Sequence, residues 1–406
     1  MVTDELGLFN ERHTDHGQYR SAGGRRASRR RRGRRITVWL SVLVVLALIG
    51  GGVWFGLTQV LGIDLFGYDD YSGSGERDVV VEIPTGASTG EIAKRLLDDG
   101  VVASTKAFVK AAEGDSRVLG IQPGYYIMRT KISGRDAVAR MLAPDAKKGQ
   151  LEIRAGWQLD DLTKPDGSIE PGIVKRLADA SCAQLNGAST CVPVEELRKV
   201  AATADLTALG VPDWAVPDAS KLEPQRRLEG LILPGVYDVR PGATAEQLWQ
   251  KVIAESSARL QVAGMPKVAA DTGFTPYQVL IMASLIEREG IEKDFPKVSR
   301  VTYNRLAEGM KLEYDSTINY VLDRPAIRTR PEDRARAGAY NTYANTGLTP
   351  GPISAPSREA IQAAAKPADG TWLFFVRCEK NGLSCFANTA QEHQQNVERA
   401  QANGAY

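Results

Sequence analysis

Glu287 is an acidic side chain set into an otherwise apolar stretch, Tyr277-Gln-Val-Leu-Ile-Met-Ala-Ser-Leu-Ile-Glu-Arg-Glu-Gly290. Thr275 can cap a helix here, Pro276 suits its first position, and Gly290 can end it in a left-handed turn. A helix apolar on all sides is a buried one, so a carboxyl stacked over Ala283 and Leu280 loses solvent. Desolvation raises a carboxyl pKa. An acid still protonated near neutral pH can donate to a leaving oxygen, the general-acid step in cleaving a glycosidic bond. The pattern leaves a second reading open, in which Glu287 sits at the wet end of the helix and pairs with an arginine. Periodicity does not choose between Glu287 and Glu289, which leave the helix on opposite faces.

Two further clusters follow. Tyr303-Asn-Arg-Leu306 continues a helical period from Val298 to a closing Gly309, and Lys311-Leu-Glu-Tyr-Asp315-Ser-Thr317 runs on from it. Asp315 is the other carboxylate suited to a paired-acid mechanism, in which carboxyl separation decides inverting against retaining chemistry. Its alternative role is to cap a helix starting at Ser316 and continuing through Tyr320. Tyr340-Asn-Thr-Tyr343 then leads into Gly347-Leu-Thr-Pro-Gly-Pro-Ile353. Aromatic rings cover the apolar face of a pyranose while Asn and Thr bond its hydroxyl and N-acetyl groups. Tyr340, Asn341 and Thr342 are therefore candidate sugar contacts, or simply the residues of a turn.

The chain that must position these groups has 406 residues, room for two or three domains, and a formal charge of +2 that argues against a nucleic-acid partner. Arginines crowd residues 20–35, directly before the apolar run from Ile36 to Leu61. This reads as a disordered, Arg-rich cytoplasmic segment over 1–35, with anionic lipid as its neighbour, and a membrane-spanning helix over 36–61. The run is too long for a signal-peptide core, and Val60-Leu-Gly-Ile-Asp64 offers no small-x-small cleavage site. A linker over 62–78 then leads into folded parts outside the cytoplasm.

Disulfides persist in that compartment, and the four cysteines fall into two close pairs, so Cys182–Cys191 and Cys378–Cys385 are the expected bridges. The second pair flanks a hairpin-like turn after Trp372-Leu-Phe-Phe-Val376. With no Cys-x-x-Cys spacing and only His13, His16 and His393 in the chain, a zinc site is not expected.

Strand and helix patterns alternate from Val79 onward, which places the fold in the α+β class. Val79–Ile83 suits a strand, Ser88-Thr-Gly-Glu91 is a capping box opening a helix through Leu97, and a second helix covers Thr105 to Ala112. Gly124–Met128 suits another strand, and Ser133-Gly-Arg-Asp136 opens a helix ending near Leu142. One phrase recurs: Ile83-x-x-Gly86 with Ile92, Ile153-x-x-Gly156 with Leu162, and Val239-x-x-Gly242 with Leu248, either a structural echo or, the favoured reading, the generic chemistry of a strand turning into a capped helix. The text divides into a module over 79–150 and a larger domain over 151–400. Between Asp179 and Glu223 the pattern weakens, and a surface insertion is expected there.

In order, Ala283-Ser-Leu-Ile-Glu287-Arg-Glu, Tyr303-Asn-Arg-Leu, Gly309-Met-x-Leu, Asp315-x-Thr317, Tyr340-Asn-Thr-Tyr343, Gly347-Leu-x-Pro-Gly-x-Ile353 and Phe374-Phe-Val376 resemble the MltG (YceG-like) endolytic murein transglycosylases. Leu228-Glu-Gly230 with Pro234 and Tyr237 is similar to the family's entry into its catalytic domain, and Phe386, Thr389 and His393 to its end. Gly235-Val236 departs from the Asp-Thr pair often found there.

The resemblance implies a single-pass anchor in the cell membrane, a LysM-like subdomain at about 79–143, and a YceG-like catalytic domain acting on peptidoglycan glycan strands beside the peptidoglycan synthases. It places Glu287 on the family's catalytic glutamate and implies glycan-orienting roles for Glu229, Asp315, Tyr340 and Asn341, with no metal or cofactor. The implied reaction cuts the bond between N-acetylmuramic acid and N-acetylglucosamine and leaves 1,6-anhydro ends. Two rivals are a hydrolase pairing Glu287 with Asp315 and a non-catalytic scaffold that holds glycan through its LysM-like module.

Overall fold

Val79, Val80 and Val81 favour extended backbone, and they lie in β1 (Asp78–Ile83), whose Val81 and Ile83 are buried. The Ser88/Glu91 capping box starts α1 (Thr89–Asp98), and Ser104 caps α2 (Thr105–Ala112). The chain returns through β2 (Gly124–Arg129), antiparallel to β1 with Val81 opposite Tyr126, then α3 (Gly134–Met141) and β3 (Lys147–Lys148) on the other edge of β2. Val81, Ile92, Leu96, Phe108, Met128 and Val138 form a core of their own between this sheet and its helices. The computed structural model describes residues 39, 43–46, 67–164, 166–322 and 330–405.

A second and larger core begins at β4 (Gln150–Ile153), which pairs antiparallel with β9 (Gly235–Asp238). Between those strands lie the hairpin β5–β6 (Leu162–Thr163, Ile169–Glu170), α4 (Ile173–Ala180), the hairpin β7–β8 (Gln184–Leu185, Ala188–Ser189), α5 (Val194–Thr203) and α6 (Val216–Ala219). After β9 come α7 (Ala245–Val262), α8 (Pro276–Glu289), α9 (Phe295–Ala307), α10 (Asp315–Asn319), α11 (Pro331–Arg334), α12 (Arg358–Ala365), the hairpin β10–β11 (Phe374–Arg377, Ser384–Ala387) and α13 (Ala390–Asn403). Every residue of α8 from Val279 to Ile286 is buried, and α8 packs against α9 and α12. The cap expected at Thr275 starts α8 as a full capping box with Gln278, and a second capping box, Thr244 with Gln247, starts α7.

The segment over 179–223 is not confined to the surface. Leu197, Ala201, Leu206, Leu209, Val211 and Ala215 are buried in the main core, and Trp249 Nε1 donates to the Leu197 carbonyl at 2.9 Å. The apolar residues are there, but short helices and turns spread them beyond any single period. Gly290 does not end α8 in a left-handed turn: its φ of −139° and ψ of −176° are extended. Asp315 does not cap the helix expected from Ser316; it is the first residue of α10, and Tyr314 at the cap position makes no side-chain capping bond. Of the three recurring phrases, Gly86 and Gly242 precede capped helices, whereas Gly156 leads into β5. All three glycines share a φ between 77° and 82°, so the backbone turn recurs where the helix does not.

Bonded sulfurs join Cys182 to Cys191 around β7–β8, and Cys378, just after β10, to Cys385 of β11. The first bracket holds a contact between the two cores. Asn186 exchanges hydrogen bonds with Asp78 of β1, its backbone and side chain both taking part, while Ala183 and Leu185 pack on Val80, Tyr125 and Ile127. Most of the expected membrane span lies outside the described residues, as does the Arg-rich segment; residues 39 and 43–46 are helical. Among the described residues no helix is long and apolar enough to cross a membrane.

Gly149 joins the two cores at a φ of 81°, where a Cβ would lie 1.8 Å from the Val239 carbonyl oxygen. Gly149→Ala is expected to destabilise the chain by about 2 kcal/mol or more, since backbone must shift as well as strain. Denaturant unfolding of both proteins checks this, and equal midpoints would refute it.

Candidate active site

A helix buried along its length delivers its last polar residues into a crowded place, and Glu287, Arg288 and Glu289 each meet a different segment there. Glu287 Oε2 accepts the Ser357 backbone N–H at 2.9 Å and its Oγ–H at 2.5 Å. Ser357 is the N-cap of α12, so the positive end of that helix faces the carboxylate. Glu287 is half-buried; burial pushes its pKa above the ordinary carboxyl value, and the two Ser357 donors pull it partly back. Arg288 donates to the Gly156 carbonyl at 3.0 Å and sits in the field of Glu289, Glu229 and Glu287. Glu289 Oε1 accepts from the backbone N–H of Ser316 at 3.3 Å and from its hydroxyl, yet burial still pushes it up to about 7. Two residues along a helix is about 200° of rotation, which separates the two glutamates.

Glu229 belongs to the same cluster from another direction. It is 2% exposed, its Oε2 accepts the Leu159 N–H and the Tyr320 hydroxyl, both at 3.2 Å, and burial pushes its pKa up to about 7. Its Oε1 has no hydrogen-bond partner among the described residues. Glu229 lines a cavity of about 260 Å³ with Gln158, Asp160, Arg226, Asn319 and Tyr320. Close packing fixes the Leu228-Glu-Gly230 turn: Gly230 has a φ of 71°, and a Cβ there would lie 2.3 Å from Pro352. A second cavity, about 770 Å³, lies at the opposite end of α8 between Phe274, Tyr277, Ile281, Leu306 and Leu348. Glu287 lines neither cavity.

The expected sugar contacts gather around Glu289 and Glu229 rather than Glu287. Asp315 Oδ1 accepts the Tyr343 hydroxyl at 2.8 Å and lies 3.5 Å from Arg334. Thr342 is buried, with its Oγ1 accepting from the Tyr314 N–H at 2.9 Å and lying 2.9 Å from Thr317 Oγ1. Asn341 spends its amide on its own loop, donating to the Arg334 and Arg336 carbonyls and accepting from Tyr343 and Ala344. Tyr340 is buried with an unpartnered hydroxyl, its ring 5.1 Å from that of Tyr320.

Tyr303, Asn304 and Arg305 are structural clamps. They donate to the carbonyls of Ala364, of Trp372, and of Leu312 and Leu373 respectively, which ties α9 to its neighbours. Sequence reasoning missed Ser357, Arg226 and Tyr320. Ser357 had a detectable signal, as a serine opening an amphipathic helix, but nothing in that pattern aims it at Glu287. Among the described residues no group of three His, Cys, Asp or Glu side chains converges as metal ligands.

The profile of the YceG-like family matches residues 81–399. The chain belongs to the YceG-like family. It is 27% identical over 376 residues to a protein of Streptococcus pneumoniae R6 named endolytic murein transglycosylase, an alignment covering 88% of this chain and 64% of that one. A Bacillus subtilis strain 168 protein of the same name is 27% identical over 332 residues, covering 79% and 84%. This chain thus spans about two thirds of the length of its pneumococcal relative. A crystal structure of a yceG-like protein from Listeria monocytogenes shares the fold at a TM-score of 0.52 and 24% identity, covering 79% of this chain and 99% of that one.

Two titrations follow from this YceG-like site. Ser357→Ala removes a donor that favours the carboxylate, so the Glu287 midpoint should rise further, by on the order of one unit, in a carboxyl-carbon NMR titration; an unmoved midpoint would show that Ser357 does not hold it. The folded pKa of Glu229 lies above its ordinary 4.5, so its contribution to stability is full below about 4.5 and is lost as pH rises through about 7. Glu229→Gln has no such loss. The stability of the variant relative to wild type should therefore grow over that window, with a ceiling on the order of 3 kcal/mol. A flat difference across pH would contradict the burial of this charge.

Proposed function

We propose that this chain is an endolytic lytic transglycosylase of peptidoglycan, with Glu287 as its acid and base. The observation that supports the reading is a half-buried carboxyl of raised pKa, held by the N-cap of α12, within the part of the chain that matches the YceG-like family. The names of the pneumococcal and Bacillus relatives support the substrate class.

In this reaction neutral Glu287 gives its proton to the oxygen of the β-1,4 bond between N-acetylmuramic acid and N-acetylglucosamine. The bond from that oxygen to C1 of the muramic residue breaks. Glu287, now a carboxylate, takes the proton of the C6 hydroxyl, and that oxygen closes on C1 to leave a 1,6-anhydro end. One carboxyl can serve both steps because its surroundings pull in both directions. Burial favours the acid, and the two Ser357 donors stabilise the carboxylate left after the first transfer. Glu229 and Asp315 orient sugar or acid, and Tyr340, Asn341 and Thr342 shape the glycan-binding wall.

The remaining parts suit a protein that terminates nascent strands. The apolar run over 36–61 anchors the chain in the cell membrane with its N-terminus cytoplasmic, and the module over 79–150 serves as a LysM-like hold on glycan. Peptidoglycan synthases are the partners that such placement implies.

The deciding experiment incubates the full-length protein with uncross-linked glycan and reads chain length and terminal sugar by mass spectrometry. Wild type should give internal cuts with anhydro ends. Glu287→Gln, an isosteric change, should lose about 100-fold or more in rate with an unchanged melting temperature, while Glu289→Gln loses less. Reducing ends without anhydro sugar would make the enzyme a hydrolase, and an active Glu287→Gln would remove this residue from the chemistry.

A further inference from the structure

Glu229 carries a feature that the transfer between Glu287 and the sugar does not use. A side chain 2% exposed leaves one carboxyl oxygen without a partner among the described residues, in the wall of a cavity of about 260 Å³. Buried polar atoms are satisfied in the great majority of cases, so an orphan beside a cavity marks a place for an outside group.

The charges around the cavity say which kind. Asp160 and Asp161 are exposed at its rim, and Glu229 is buried in its wall. The cation that lines it, Arg226, is committed: its guanidinium lies over the rings of Tyr320 and Tyr340 at 4.5 and 5.1 Å and bonds Glu223 at 2.9 Å. Asp160 pairs with Arg198 at 2.9 Å and Asp161 accepts the Gly172 N–H at 2.8 Å, and both are exposed to water, so Glu229 Oε1 is the buried carboxyl oxygen of the lining left unsatisfied among the described residues. An anion would meet acidic walls. A neutral acetamido group would satisfy one bond and draw nothing from the rim.

Resting on the reading of the chain as a peptidoglycan-cleaving enzyme, we propose that this cavity is a subsite for a primary ammonium group of the substrate, with Glu229 Oε1 as its principal acceptor. Peptidoglycan offers that chemistry from two sources: the side-chain amine of a stem peptide's diamino acid, and the C2 amine of a de-N-acetylated sugar. The stem amine is free on an uncross-linked strand and acylated in a cross-link. A subsite of this kind would favour strands not yet joined to the wall.

The groups facing Glu229 set its pH behaviour. Asp160 comes from the loop before β5, Arg226 from its own turn, Tyr320 from beside α10, Tyr340 from the following loop, and Tyr277 and Arg288 from α8. Glu229 ionises through about 7, so ammonium affinity should rise with pH from 6 to 8.

Calorimetry with the full-length Glu287→Gln protein, which binds without cutting, tests this on four soluble fragments. These are a disaccharide-peptide with its stem amine free, the same fragment with that amine acetylated, a peptide-free N-acetylated glycan, and that glycan partly de-N-acetylated. About tenfold or more tighter binding of the first fragment over the second, lost on adding Glu229→Gln, supports a stem-amine subsite. The same advantage of the fourth over the third, likewise lost, supports a sugar-amine subsite. Equal affinities across all four, an amine preference that survives Glu229→Gln, or affinity that does not rise with pH would overturn the proposal. Acetylation alters only the ligand, so the comparison holds even should Glu229→Gln fold poorly. Failure of the lytic reading shows separately, as absence of anhydro ends from wild type with every substrate.

Discussion

Burying α8 from Val279 to Ile286 is the constraint on which the site depends. A helix with no wet face cannot shed its polar C-terminal residues into solvent, so the surrounding chain must supply partners for them. Three segments do so from three directions: the N-cap of α12 for Glu287, the Gly156 turn for Arg288, and the start of α10 for Glu289. Ser284, one turn earlier, shows the same demand, with its Oγ accepting the Ile353 N–H and its carbonyl accepting the Ser354 hydroxyl. The segment leading to Ser357 is thereby held against α8 before it reaches the carboxyl.

That arrangement explains which parts could be read from residues alone. Local, short-range chemistry was legible: the caps at Ser88 and Thr275, the strand over 79–83, and the buried helix itself. These depend on neighbours within a few residues, which is the range over which sequence patterns carry information. Glu287 and Glu289 were visible as charges in an apolar run. Their fates were not, because the difference between them is made by Ser357 and Ser316, 70 and 27 residues away. The core contribution of residues 179–223 was hidden for a related reason, since no single helical period spans its buried residues. The departure at Gly235 gains a physical account only in three dimensions: a Cβ there would lie 2.3 Å from the Arg259 guanidinium, which donates to the Val236 carbonyl.

Asp315 shows how a candidate carboxylate is also engaged by structural neighbours. A second acid for hydrolysis must face the same bond as the first. Here Asp315 Oδ1 is taken by Tyr343 and neighbours Arg334, on the side of α8 that belongs to Glu289. Tyr343, Thr342, Thr317 and Tyr314 then close a compact polar zipper between the start of α10 and the loop after α11. The motif residues Asp315, Thr317, Thr342 and Tyr343 are, in large part, the recipe for that zipper.

Three carboxyls around one arginine, with two of them pushed to about 7, make a site whose charge is not settled by sequence distance but by access. Glu229 is 2% exposed with one oxygen unpartnered among the described residues, Glu289 is held by a serine on the zipper, and Glu287 is half-buried with donors on one oxygen only. A group that must give a proton and then take one needs its second oxygen open to the substrate, and a counterweight to burial so that neither protonation state is too costly. Glu287 combines partial exposure with opposed influences on its charge, and Glu289 shares both, with burial pushing it further, to about 7. Glu229 lacks the exposure, and its unfilled oxygen is better suited to grip than to transfer.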